Sequence, residues 1–236
     1  MNTRSASAAL NTERATATAP TRVAVFGASG LVGRALITTL LADPDIHEIH
    51  LLLRHPIADL PGDSRLHQHK AEFSNPDSWR KWLLVDAVFC TLGTTIKIAG
   101  SPAAFRAVDH TLVVTAASQA KRAGVGHFLV VSALGADAKS SVFYNRVKGE
   151  MEAELMTLGL AKLSIFRPSL LAGARSQFRF GERVGLLLAG LFGTLLPRQW
   201  RPIRDSSVAN AMWRASREQR EQVRIYQSGE MQLLHR

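Results

Sequence analysis

The chain of 236 residues contains one cysteine, Cys90, so it has no internal disulfide. A lone thiol points to a reducing compartment, and the expected location is cytoplasmic. Tyrosine is scarce too, at two residues, which makes the placement of each one informative. Lys and Arg outnumber Asp and Glu by 29 to 19, a net charge of +10, yet no block of five basic residues occurs. Nor is there a basic stripe interleaved with aromatics, so nucleic acid is not an expected partner. A phosphorylated small molecule or an acidic surface remains for that charge. No apolar run is long enough to cross a membrane: Val184–Leu196 has 13 residues, three of them glycine, against the roughly 20 a span requires. Residues 1–20, "MNTRSASAALNTERATATAP", hold Leu10 as the single large apolar residue beyond Met1. That excludes a secretory h-region and predicts a disordered tail.

Hydrophobic residues make up 46% of the chain, enough to bury a sizeable core. From residue 21, short β-rich runs alternate with helical stretches. Strands are expected at Arg22–Phe26, His47–Leu53, Leu66–Lys70, Asp86–Thr91, His127–Ser132, Leu163–Arg167 and Val223–Tyr226. Helices are expected at Leu31–Ala42, Pro76–Leu83, Pro102–Ala123, Ser141–Leu158 and near Ser207–Arg217. Strands separated by helices read as βαβ units, and continuous runs such as "VAVF" and "FLVV" suit strands covered on both faces. The expected fold is α/β, a Rossmann-type doubly wound parallel sheet. It forms a single domain, 21–236, with a small C-terminal substrate-side lobe at 168–215. Within that lobe, Val184–Leu196 is read as a lid, a subunit contact in a monomer or homodimer, or a peripheral membrane contact.

The stretch "VAVFGASGLVGRAL" places Gly27, Gly30 and Gly33 between the first strand and the first helix. Gly27 allows a tight turn, Gly30 a close approach by a pyrophosphate, and Gly33 close packing of helix on sheet. Ser29, Leu31 and Val32 complete the turn, whose helix N-terminus would hold phosphates. The rival reading is a structural turn without a ligand. The second strand ends in "LLLRHP", with Arg54 where an NAD site usually has a carboxylate for the ribose 2′-hydroxyl. A guanidinium can instead pair with a 2′-phosphate. Arg34 reaches toward the same region, unless it is simply a solvated arginine. NADP(H) is therefore the preferred cofactor, with NAD(H) as the second choice. The fourth strand ends in "CTLGTT", placing Thr91, Leu92 and Gly93 beside the adenosine ribose; Cys90 reads as a small core residue.

A second constellation lies in "VVSALGADAKSSVFYNRVKGE". Ser132 ends the fifth strand at the carboxyl edge, and Tyr144 and Lys148, four apart, share a helix face. Reducing a carbonyl requires a proton at the new alkoxide. Tyr144 can supply it as general acid/base once a neighbouring ammonium favours phenolate. Ser132 would hold the substrate oxygen, and Lys148 would also bind the nicotinamide ribose. An ordinary amphipathic helix is the plainer alternative. His67 and His69, on the third strand, lack a third ligand at metal spacing and read as solvent-exposed edge residues; no metal is expected.

Together "GASGLVGR", "LLLR", "CTLGTTIKIAGSPAAFRAVD", "VVSALGADAKSSVFYNRVKGEME" and "IFRPSLLAGAR" resemble the atypical short-chain dehydrogenase/reductase family, for which GxxGxxG is typical. The likeness is to the branch that holds a human Tat-interacting oxidoreductase and bacterial proteins called NAD(P)-binding oxidoreductases or NAD-dependent epimerase/dehydratase-like proteins. The resemblance implies an NADP(H)-binding Rossmann fold with Ser132, Tyr144 and Lys148 as catalytic residues and Pro168 bordering the nicotinamide. Where the family often reads Arg-Pro-Gly, this chain has Arg167-Pro168-Ser169. The expected activity is NADP(H)-dependent oxidoreduction of a carbonyl/alcohol pair in a small molecule. The alternative is a dinucleotide-sensing regulatory or scaffold protein with little turnover.

Overall fold

A computed structural model describes residues 19–172 and 197–234. The segment Val184–Leu196 and nearly all of the expected tail lie outside the described residues. In chain order the structure runs β1 (Arg22–Phe26), α1 (Leu31–Leu41), β2 (Glu48–Leu53), β3 (Leu66–Lys70), α2 (Pro76–Trp79) with a 3-10 turn (Arg80–Leu83), and β4 (Ala87–Cys90). Two short helices follow, α3 (Ile96–Ala99) and α4 (Pro102–Arg106), then a π-helical turn (Ala107–Leu112) that runs into α5 (Val113–Arg122). Next come β5 (His127–Val131), α6 (Phe143–Thr157), β6 (Leu163–Arg167) and β7 (Leu171–Ala172). A 3-10 turn (Arg198–Trp200), β8 (Ile203–Arg204), α7 (Asp205–Glu218), β9 (Val223–Gln227) and α8 (Ser228–Met231) complete the described chain.

Seven strands form one sheet in the order β3-β2-β1-β4-β5-β6-β9, every adjacent pair parallel. This is the expected doubly wound α/β sheet. Its central strands have no polar face: β5, "HFLVV", is buried at every position, as helices on both sides require. On one face α1 and α7 pack over Val25, Leu51 and Phe89; on the other, α2, α5 and α6 cover Ala24, Phe26, Val88 and Phe128. Residues 205–215, in the segment expected to form the substrate-side lobe, therefore lie in a helical layer of the core. The described remainder of that segment is the β7–β8 pair and the Arg198–Trp200 turn.

Strand order reverses between β1 and β4, which pair at Val25↔Phe89 while β1 also pairs with β2 at Val25↔Leu51. The loops after β1 and β4 leave the sheet there, at the switch point of the carboxyl edge where such sheets place their ligand crevice. At the far edge, the expectation of exposed histidines does not hold. His69 is half-buried, stacks on Trp82 at a ring separation of 4.3 Å, and has its Nε2 2.8 Å from His50 Nδ1. Burial, followed by the neighbouring histidines and Lys81, lowers its pKa to about 4.

The long helix expected at Pro102–Ala123 is interrupted by the π turn, a widening that often marks functional sites. Helix α6 docks closely on the loop after β5. A Cβ at Gly149 would lie 2.1 Å from Ala138 N and 2.2 Å from the Asp137 carbonyl carbon. Backbone cannot yield as a flexible side chain does, so Gly149→Ala is expected to destabilise the fold by about 3 kcal/mol, the upper end for overpacking. Urea unfolding checks this, and an unchanged midpoint would contradict the tight docking.

Candidate functional site

The glycine turn closes against the loop after β4. Gly27 has φ of 77°, and a Cβ there would lie 2.6 Å from the Thr91 carbonyl. Thr91 fixes the contact by donating from both its N–H and its hydroxyl to Phe26 O, each at 2.9 Å. Gly33 is equally constrained, since its Cβ would meet Gly27 O at 2.3 Å. Gly30 differs: its φ is −76°, and a Cβ would find only Gly27 O, at 3.2 Å. The fold thus demands glycine at 27 and 33 more than at 30, where an added Cβ would be tight against a single backbone oxygen. At Gly93 a Cβ would meet only Asp109 Oδ1, at 3.6 Å.

No side chain caps α1, and no acidic residue occupies its first turn. Its leading N–H groups and positive dipole are available to an anion. Ser29 is exposed and Leu31 half-buried, whereas the Val32 side chain is buried in the core, so only its backbone can face a ligand. Arg34 and Arg54 are both exposed beside this turn. Arg34 is engaged in a two-pronged ion pair, Nη1 to Asp59 Oδ2 and Nη2 to Asp59 Oδ1, both 2.9 Å. Arg54 has no ion-pair partner among the described residues.

Ser132 directly follows β5 at the carboxyl edge, and α6, which carries Tyr144 and Lys148, docks on the loop after it. Asp137 N–H donates to Asn145 O at 3.1 Å, and Arg146 Nη1 donates to Ser140 O at 2.8 Å. These bonds hold the loop after β5 on the helix. Ser132 is buried, and its hydroxyl has no hydrogen-bond partner among the described residues. A buried hydroxyl normally finds a partner, and none of the described residues supplies one here. Tyr144 is 37% exposed and packs its ring against Phe105, centroids 5.6 Å apart. Lys148, one turn on, is fully inside.

Lys148 reveals a partner that sequence reasoning missed. Its Nζ lies 2.9 Å from Asp109 Oδ1, with both side chains essentially inaccessible. Burial works to lower the Lys148 pKa, but the Asp109 carboxylate and then the Tyr144 phenol outweigh it, and the pKa is raised. The ammonium is therefore kept charged. Asp109 Oδ2 also accepts from Thr94 N–H at 2.8 Å, tying the loop after β4 to the same carboxylate. The available signal was a charge interrupting the buried stripe Phe105, Asp109, Val113. Cys90, as expected, is a core residue; burial pushes its thiol up to about 12.

Across the crevice, Pro168 is buried and its carbonyl accepts from Leu134 N–H at 2.8 Å. The preceding Arg167 is clamped to the buried carboxylate of Glu152 on α6, its Nε 3.0 Å from Oε1. Ser169, where the family pattern often has glycine, donates its hydroxyl to Arg201 O at 2.5 Å and accepts from Ser228 Oγ at 2.9 Å. The departure thus anchors the Arg198–Trp200 turn and α8 to the end of β6.

A family model described as NAD(P)H-binding matches residues 27–171. The mitochondrial protein FMP52 of Coccidioides immitis is 34% identical over 170 residues, 67% of this chain and 69% of its own. Protein HTATIP2 of Rattus norvegicus is 33% identical over 180 residues, 75% of this chain and 72% of its own. WbmG of Bordetella bronchiseptica, solved in complex with NAD, aligns with a TM-score of 0.65 at 18% identity, covering 93% of this chain and 75% of its own. An oxidoreductase of the short-chain dehydrogenase/reductase family from Burkholderia thailandensis gives 0.64 at 18% identity, over 90% and 93%. Sheet order, crevice and glycine turn define the class, an NAD(P)-binding Rossmann protein. The chain belongs to the NAD(P)H-binding, atypical short-chain dehydrogenase/reductase family. The cytoplasmic expectation is overturned, because FMP52 relatives are named as mitochondrial. A single cysteine at a buried strand position reports packing, and it does not distinguish one reducing compartment from another. Among the described residues, no helix is long and apolar enough to cross a membrane.

The buried pair yields a direct test. Asp109→Asn keeps the shape and an acceptor for Thr94 but leaves Lys148 charged without a counter-ion. Breaking a buried pair from one side costs about 3–5 kcal/mol. The variant should lose stability of that order in urea unfolding at pH 7, and a loss below about 1 kcal/mol, the range of exposed pairs, would show that the pair is not what holds Lys148.

Proposed function

We propose that the protein is an NADP(H)-preferring oxidoreductase that transfers hydride to or from a carbonyl/alcohol of a small molecule. The observation that carries this reading is the buried, charged Lys148 one helical turn from the part-exposed Tyr144 phenol, on the helix that docks on the loop after Ser132, whose buried hydroxyl has no partner among the described residues. The bound cofactor would supply or accept the hydride. Gly27, Ser29, Gly30 and Gly33, with the backbone of Leu31 and Val32, would hold its pyrophosphate at the start of α1. Thr91, Leu92 and Gly93 would line the adenosine ribose, and Pro168 the nicotinamide. Arg54, and Arg34 once freed, would take the 2′-phosphate. The fit is supported by the uncapped start of α1, whose first turn carries no acidic residue.

Tyr144 then gives a proton to the substrate oxygen or takes one from it. The Lys148 ammonium lowers the cost of phenolate, and each pKa unit gained is worth about 1.4 kcal/mol. Ser132 donates to the same oxygen and stabilises its developing charge. The chain works as one domain, 21–236. Residues after Pro168, among them β7, β8 and the Arg198–Trp200 turn, supply the substrate side within the expected lobe 168–215.

One feature supports the second reading, a dinucleotide sensor with little turnover. Asp109 stands 2.9 Å from the Lys148 ammonium and offsets part of its field at Tyr144. A carbonyl panel with NADPH separates the two readings. An enzyme turns over a member of the panel, and Tyr144→Phe cuts that rate by about 10²–10⁴-fold while cofactor binding persists. Binding without turnover on any carbonyl favours the sensor. In titrations NADPH should bind more tightly than NADH, and Arg54→Ala should erase the gap. Equal affinities in the unaltered protein would remove the 2′-phosphate role from Arg54.

A further inference from the structure

We propose that Asp59 is a specificity-determining residue that competes with a 2′-phosphate for Arg34. The inference rests on the reading of this crevice as a dinucleotide site and concerns how that site tells NADP(H) from NAD(H).

Sequence position directs attention to residue 54, at the end of β2, for the group that meets the ribose 2′ position. That residue is arginine, yet the structure delivers a carboxylate to the same corner from five residues further on. Asp59 meets the guanidinium of Arg34 with both oxygens, at 2.9 Å each. Arg34 is the residue after Gly33, in the first turns of α1, its N–H bonded to Gly30 O at 2.9 Å. The pair therefore stands beside the pyrophosphate end of the turn and the end of β2 together.

The loop that presents Asp59 is built. Two residues earlier, Ile57 is buried, and its backbone is gripped from both sides by the Gln68 side chain on β3. Its N–H donates to Oε1 at 2.7 Å, and its carbonyl accepts from Nε2 at 3.1 Å. One residue later, Leu60 packs against the core beneath α1. The carboxylate is fixed between two anchors and aimed at Arg34. Pairing with Arg34 lowers the pKa of Asp59, so it stays ionised at neutral pH.

The chemistry of the fork makes the carboxylate and a phosphate mutually exclusive on that edge. Both Nη groups of Arg34 are occupied by Asp59, and those are the donors a bidentate phosphate uses. A 2′-phosphate must open the pair or settle for the remaining donors of the guanidinium, and in either case sit near a residual negative charge. A 2′-hydroxyl needs neither step, and Asp59 can accept a hydrogen bond from it. Arg54, exposed and without an ion-pair partner among the described residues, attracts the phosphate. Asp59 works against that attraction and narrows the preference.

The test is calorimetric titration of NADPH and NADH at low ionic strength into the unaltered protein, Asp59→Asn, Arg34→Ala and the double variant. Asp59→Asn should tighten NADPH by about fivefold, the scale of an exposed ion pair released, with NADH unchanged or weaker. In the Arg34→Ala background the same substitution should shift the NADPH to NADH ratio by clearly less than in the unaltered protein, since no fork remains to free and only the direct effect of the carboxylate is left. An unchanged ratio in Asp59→Asn overturns the proposal. So does a loss of NADPH affinity matching that of Arg34→Ala, which would make Asp59 a support that positions Arg34 for phosphate. If neither dinucleotide binds the unaltered protein, the oxidoreductase reading fails and this inference with it. Binding with an unmoved ratio fails Asp59 alone. Asp59 is exposed on the loop surface, and equal thermal midpoints for the four proteins would show that the comparison is made on folded chains.

Discussion

The ion pair between Lys148 and Asp109 is the constraint on which the site depends. A lone ammonium at that depth would be neutralised by desolvation, and a lone carboxylate would be equally costly. Their mutual attraction keeps both charged and thereby fixes three segments at once. Lys148 belongs to α6, Asp109 to the π turn, and Thr94, bonded to the second Asp109 oxygen, to the loop after β4. That loop is in turn the surface against which Gly27 closes. A continuous set of contacts therefore runs from the glycine turn to the helix carrying Tyr144, and the two halves of the crevice are held in one frame.

The glycines show how the fold's needs separate from those of a ligand. Gly27 and Gly33 are dictated by backbone within 3 Å of any added Cβ, so they would be required in an empty protein. Gly30 and Gly93 meet no such wall. The fold's demand for glycine is weaker at these two positions, where a Cβ would meet one backbone oxygen at 3.2 Å or the Asp109 carboxylate at 3.6 Å. A motif of three glycines thus divides into two that build the turn and one that the turn needs less.

Most of the sheet was legible because period and composition report local burial. Runs such as "HFLVV" have no polar face and can be only central strands or buried helices, and the alternation with helices decides between them. Ser132, Tyr144 and Lys148 were legible for a similar reason, since strand ends and i,i+4 spacing are local geometry. Asp109 and Asp59 were not. The widened π turn that places Asp109 beside Lys148 depends on contacts with α6 and the β4 loop, which no short window contains. Asp59 stands in a loop without periodicity, held by a glutamine from another strand. The cytoplasmic expectation failed on a different ground: Cys90 is buried at the end of β4 and carries information about packing alone.

Two cation–carboxylate pairs thus flank the crevice, and solvent makes them different devices. Lys148–Asp109 is almost wholly inaccessible, whereas the side chains of Arg34 and Asp59 are 43% and 72% exposed. In a low-dielectric interior, separating the first pair leaves an unsolvated charge, so it behaves as a fixed structural joint, nearly indifferent to salt. At the surface, water and counter-ions solvate both partners of the second once it opens, and the cost falls to about 1 kcal/mol or less. A joint that must not move is thus placed where opening is prohibitive. The Arg34–Asp59 pair is placed where opening is cheap. The same chemistry gives a fixed joint at Lys148 and an exchangeable one at Arg34, and burial decides which.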